Sequence, residues 1–107
     1  MAEIPDNINA ALSDYVTRLS QEIQVRAAVL FGSYATGTWH EDSDIDIAIF
    51  SENFSDMDRV EAITFLLSRA MPYNLDIQPL AYNEKDLEHE DGNPFLHEIL
   101  TTGVRIA

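Results

Sequence analysis

The chain has 107 residues, with six Lys and Arg against 19 Asp and Glu, three His and no cysteine. A chain of this length is expected to form one domain around one core, and the missing cysteines exclude disulfides and thiolate chemistry. Its formal net charge of −13 repels nucleic acid and anionic membrane and attracts cations and basic proteins.

The first predicted element is a helix over residues 7–23. Ile8, Leu12, Tyr15, Val16, Leu19 and Ile23 recur at helical spacing. Asp6, after Pro5, is its expected N-cap. Residues 26–31 (Arg-Ala-Ala-Val-Leu-Phe) are short, apolar and stopped by Gly32, which predicts a buried strand. A short helix is expected over 33–36, then a polar loop over 38–43. Residues 44–50 alternate, with Asp44, Asp46 and Ala48 against Ile45, Ile47 and Ile49, so a strand with two unlike faces is predicted.

Helical spacing returns over 56–71. Val60, Ile63, Leu67 and Ala70 form one expected core stripe, flanked by Leu66 and Met71. Pro72 ends that helix. Residues 74–81 predict a third strand, whose later half Pro79 confines to an edge or a bulge. Residues 83–92, an acidic stretch, read as a loop or a weak helical turn. Asn93 as cap, Pro94 at the first helical position and Gly103 as terminator define a last helix, and 104–106 could add a short strand. This order predicts an α/β domain in which helices pack against a small mixed sheet.

The chemistry concentrates in residues 32–50. Asp44 and Asp46 are two apart on a predicted strand, so both carboxylates leave one face, with Cα atoms roughly 6.5–7 Å apart. Mg²⁺ takes one or two carboxylates plus phosphate oxygens, and two such ions can activate a hydroxyl and stabilise leaving pyrophosphate. Asp76 is the expected third acid. It interrupts the run Leu75-Asp76-Ile77, where a buried charge would be costly unless paired or bound to metal. Gly32 permits close backbone approach to a phosphate. Ser33 offers a hydroxyl and an N–H at a helix start. Gly37 ends the short helix, and Ser43 either bonds a carboxylate or turns the chain into the strand. Tyr34 and Trp39 flank this region and either stack on a base or pack on protein. His40, His89 and His97 show no ligand spacing.

Gly32-Ser33-x-Ala35-x-Gly37, five residues, then Ser43-Asp44-x-Asp46-Ile47 resembles the signature of the polymerase beta-like nucleotidyltransferases. Asp76 and Phe95-Leu96-x-Glu98-Ile99-x-x-x-Gly103 extend the resemblance over nearly the whole chain, read as one nucleotidyltransferase domain spanning 1–107. The small size resembles the minimal nucleotidyltransferases associated with HEPN-domain proteins. The resemblance implies the nucleotidyltransferase fold. It also implies an ATP- and Mg²⁺-dependent (or Mn²⁺-dependent) adenylyltransferase that places AMP on a tyrosine of a HEPN ribonuclease toxin, a type VII-like antitoxin. It makes Asp44, Asp46 and Asp76 the catalytic, metal-binding acids and Gly32 and Ser33 the nucleotide-binding pair. One departure stands out: Thr36 occupies a position where many relatives carry Arg, which removes a possible phosphate contact.

Two alternatives compete. One is a non-catalytic acidic module that neutralises a partner by contact. The other is a small-molecule transferase of the aminoglycoside-modifying type. A partner supplying a second wall for the nucleotide is expected, because so small a domain has few residues beyond its own core. The N-terminal Met-Ala-Glu-Ile-Pro-Asp lacks a basic, apolar signal region, and no run approaches the roughly 18 apolar residues of a membrane span; a cytoplasmic protein is the expectation.

Overall fold

The computed structural model describes residues 4–89 and 92–107. Its elements run α1 (Asp6–Leu19), β1 (Ala27–Phe31), α2 (Ser33–Thr36), β2 (Ile45–Phe50), α3 (Arg59–Ala70), β3 (Ile77–Tyr82), α4 (Pro94–Thr102) and β4 (Val104–Arg105). Single 3-10 turns lie at Glu52–Asp56, Met71–Tyr73 and Glu84–Leu87.

The four strands form one sheet in the order β3-β2-β1-β4. β1 pairs antiparallel with β2 and β4, and β2 pairs parallel with β3. The sheet is therefore mixed, as the element order predicted. A parallel pair needs a crossover, which the segment carrying α3 provides. Pro79 lies within β3, an edge strand, where its missing N–H costs no ladder bond on the outer side.

Strand alternation divides the core in two. Ile45, Ile47 and Ile49 of β2 join Ala28, Leu30 and Ile77 under Leu12, Tyr15 and Leu19 of α1 and Leu66 of α3. Ala48 and Phe50 of the same strand join Ala27 and Val29 under Leu96 and Ile99 of α4. One buried polar tie crosses the first layer, where the Tyr15 hydroxyl donates to the Leu66 carbonyl at 2.8 Å. Burial raises the Tyr15 pKa well above its ordinary value.

Several expectations change in detail. α1 is capped by Pro5, with no side-chain cap bond, and Asp6 is its first helical residue. The helix stops at Leu19, and Ile23 reaches the core from the turn that follows. α3 begins after Asp58, whose carboxylate accepts from the Glu61 N–H. Its buried stripe is Ala62, Leu66 and Ala70, while Val60 and Leu67 are exposed along with Met71. Ala70 of the expected stripe is thus buried and Ile63 half-buried, while Ala62 and Leu66 take the core places expected of Val60 and Leu67. The last helix matches its signals: the Asn93 side chain accepts from the Leu96 N–H, Pro94 follows, and Gly103 is the C-cap. Within 83–92 the Glu84–Leu87 turn carries a capping box between Asn83 and Asp86. Glu90 and Asp91 of that stretch lie outside the described residues.

Candidate active site

The site forms where β1 ends and β2 and β3 begin. β1 is stopped by Gly32, whose φ of 75° and ψ of −151° lie where only glycine is comfortable. A Cβ on Gly32 would stand 2.5 Å from Asp46 Oδ2. The glycine is thus required twice, by its backbone and by the carboxylate pressed against it. Four residues of helix follow and end at Gly37, in the left-handed conformation with φ 84°. No side chain caps the start of this turn, and the first N–H groups of a helix have no intrahelical acceptor.

The loop back to β2 is closed by Ser43, whose hydroxyl accepts from the His40 N–H at 2.9 Å. Ser43 therefore turns the chain and does not bond a carboxylate in this way. The Thr36 hydroxyl donates to the Gly32 carbonyl at 3.2 Å. It braces the turn, where an Arg would reach outward.

The register places the acids. Asp46 lies opposite Phe31 of β1 and beside Gln78 of β3. The Ile45 N–H donates to the Asp76 carbonyl at 2.8 Å, so Asp44 and Asp76, each just before its strand, stand side by side. Asp44, Asp46, Asp76 and Gln78 share the face that, further along, buries Ala48 and Phe50 under α4. The Gln78 amide donates to Asp76 Oδ1 at 2.6 Å.

Asp44 and Asp76 are hydrogen-bonded to each other. That bond, then the Asp76 charge, raises the Asp44 pKa. The same bond, then the Gln78 amide, lowers that of Asp76. Two adjacent carboxyls that share a proton titrate as a pair. Asp46 is half-buried, and its pKa is raised by desolvation and then by the Asp76 charge. Asp76 itself is exposed. The expectation that it carries a buried charge was wrong: it precedes β3, where Leu75 and Ile77 pack inward and the acid faces out. The structure joins Asp44 to Asp76 and keeps Asp46 within charge range. It does not draw them into a finished cage: among the described residues no three acidic or imidazole groups already surround one point.

The donor set nonetheless fits a divalent cation. Hard oxygen donors are the ligands Mg²⁺ and Mn²⁺ take, and adjacent carboxylates repel one another until a proton or a cation comes between them. Two cavities flank this row. One of about 250 Å³ lies on the α4 side, between Gly32, Thr36, Phe95 and Glu98. A larger cleft of about 580 Å³ lies at the strand ends, bounded by Asp76, Trp39 and the start of α1. Tyr34 and Trp39 stack on each other, with centroids 5.4 Å apart and planes 9° from parallel. Sequence spacing gave no sign of that pairing.

Comparison with known proteins agrees with this geometry. Residues 14–107 match the family model described as polymerase beta, nucleotidyltransferase. Two relatives from Methanocaldococcus jannaschii are named "Putative protein adenylyltransferase". MJ1305 is 29% identical over 88% of this chain and 67% of its own length, and MJ0141 is 28% identical over 97% and 92%. A nucleotidyltransferase crystal structure from Sulfolobus solfataricus, itself titled putative, superposes with a TM-score of 0.66 at 16% identity. It covers 91% of this chain and 77% of its own. A toxin-antitoxin crystal structure with AMP-PNP superposes at 0.57 and 23% identity, covering 89% and 72%. Those two likenesses establish the nucleotidyltransferase fold. The family match does more: this chain belongs to the polymerase beta nucleotidyltransferase family and is a nucleotidyltransferase.

Proposed function

We propose that the chain transfers AMP from ATP, with Mg²⁺ or Mn²⁺, to a tyrosine hydroxyl of a HEPN-domain toxin, and so acts as an antitoxin. The observation that carries this reading is the row of Asp44, Asp46 and Asp76 on one sheet face, with Gly32 held open against Asp46. Support for the transferred group comes from the relatives named as protein adenylyltransferases. Support for the partner comes from the neighbour titled as a toxin-antitoxin with AMP-PNP. The net charge of −13 suits a basic protein partner, and the cytoplasm is the compartment where such a pair would meet. No helix among the described residues is long and apolar enough to cross a membrane.

Asp44, Asp46 and Asp76 are the residues that would hold the cation. When bound, the cation neutralises triphosphate charge and favours departure of pyrophosphate. The chain's own groups do the positioning. Gly32 lets the backbone approach the phosphates, and Ser33 offers its hydroxyl and N–H to their oxygens. Asp76, exposed and held by the Gln78 amide, accepts the proton of the attacking hydroxyl. The acceptor oxygen bonds the α-phosphorus, the bridging P–O bond breaks, and its electron pair leaves with pyrophosphate. Orientation and charge neutralisation supply most of the rate in such transfers.

Mass spectrometry of the toxin after incubation with this chain, ATP and Mg²⁺ tests the reading. A gain of AMP units on the toxin is expected. An unmodified toxin that is nevertheless neutralised, by wild type and by Asp44→Ala plus Asp46→Ala alike, would establish contact alone.

A further inference from the structure

The larger cleft is lined by Asp76 but not by Gly32 or Ser33, the residues given to the phosphates above. Its apolar wall comes from Pro5, Ile8 and Leu75, together with the Tyr34–Trp39 stack. Its rim carries Glu41, Asp42 and Asp76, and no Lys or Arg lines it. Gly32 lines the other cavity, on the α4 side that the acid row shares, and not this one; with phosphates held there, the cleft is left to the second substrate. Trp39 is 37% exposed while Tyr34, stacked beneath it, is 5% exposed. The indole is thus fixed from one side and open to a ligand, a pre-ordered aromatic surface.

Resting on the adenylyltransferase reading, we infer that this cleft is the acceptor subsite, in which Trp39 receives the ring of a tyrosine while Glu41 and Asp42 select Lys or Arg beside it in the acceptor chain. Apolar walls suit a flat ring, and Asp76 is the acid of the row that also lines this cleft. About 580 Å³ holds a tyrosine with part of its flanking residues. The two rim acids, both exposed, favour cations at no cost to the core. Trp39 and Tyr34 act as specificity residues for the acceptor, and ATP affinity does not depend on Glu41 or Asp42.

Trp39 is the chain's single tryptophan, so its fluorescence reports the cleft directly. The full chain is titrated at low ionic strength with the peptide Ala-Lys-Tyr-Lys-Ala, the same peptide with Ser for Tyr, and Ala-Glu-Tyr-Glu-Ala. ATP with Mg²⁺ is titrated separately by calorimetry. The lysine-flanked tyrosine peptide is expected to change Trp39 emission saturably and at least about tenfold more tightly than either control. Glu41→Gln with Asp42→Asn should weaken that peptide about tenfold and leave ATP affinity unchanged. Absence of a saturable change, equal binding of all three peptides, or displacement of the peptide by ATP would overturn the inference. Peptide binding without any ATP affinity would instead overturn the adenylyltransferase reading and leave the cleft a binding site.

Discussion

The two faces of β2 receive the same alternating pattern and use it differently. On one face Ile45, Ile47 and Ile49 are all buried against α1 and α3. On the other, only Ala48 and Phe50 are buried, under α4, and the two positions before them on that face are the half-buried Asp46 and the exposed Asp44. The first face is closed along its whole length. The second is closed at one end and chemically armed at the other. Strand geometry thus lets seven consecutive residues, 44–50, fill two core layers and present two carboxylates at once, since neighbours never share a face.

The sharpest way to break this contrast is at the armed end. Asp44→Asn with Asp46→Asn should lower AMP transfer by about 10²-fold or more in a mass-spectrometric rate assay. The melting temperature should hold or rise, because repelling carboxylates are removed. At the closed face the reverse is expected. Leu66→Ala empties a fully buried position against Tyr15 and should cost about 2–5 kcal/mol in denaturant unfolding, with ATP affinity per folded molecule unchanged.

Gly32→Ala tests the boundary between the two faces. Its backbone conformation alone costs any other residue about 1–3 kcal/mol, and the new methyl must displace Asp46. Unfolding and AMP transfer should therefore both suffer, unlike in either variant above.

The smallest effect lies far from the site. Arg69 donates to Glu22 at 2.7 and 2.8 Å, and that bond holds the Glu22 carboxyl below its usual value. A depressed acid contributes stability above its unfolded pKa and loses it as pH falls through the folded one. Glu22→Gln should therefore reduce melting temperature slightly at neutral pH, less in high salt, and not at all once the carboxylate is protonated in acid.

Much of this fold was legible because its signals are local. Asn93, Pro94 and Gly103 frame α4 as expected, and Pro79 marks the edge strand. The acid pair was legible because a period of two needs no tertiary knowledge. Where the reading failed, tertiary packing decided. Val60 and Leu67 fit a helical stripe that contains Ala70 as well as Ala62 and Leu66 do, and only the rotation of α3 on the sheet chooses between them. Asp76 was placed correctly beside Asp44, but its burial was misjudged, because one position before a strand is enough to face solvent. The Tyr34–Trp39 stack spans a glycine turn, and no periodic rule covers such a pair.

Calorimetric titration of ATP into the wild-type chain and into Asp44→Asn plus Asp46→Asn, with and without Mg²⁺, tests the central claim most directly. The acid row predicts measurable heat for the wild type only when Mg²⁺ is present, and none for the double variant. Equal ATP affinity in both proteins, or binding to the wild type that ignores Mg²⁺, would contradict it.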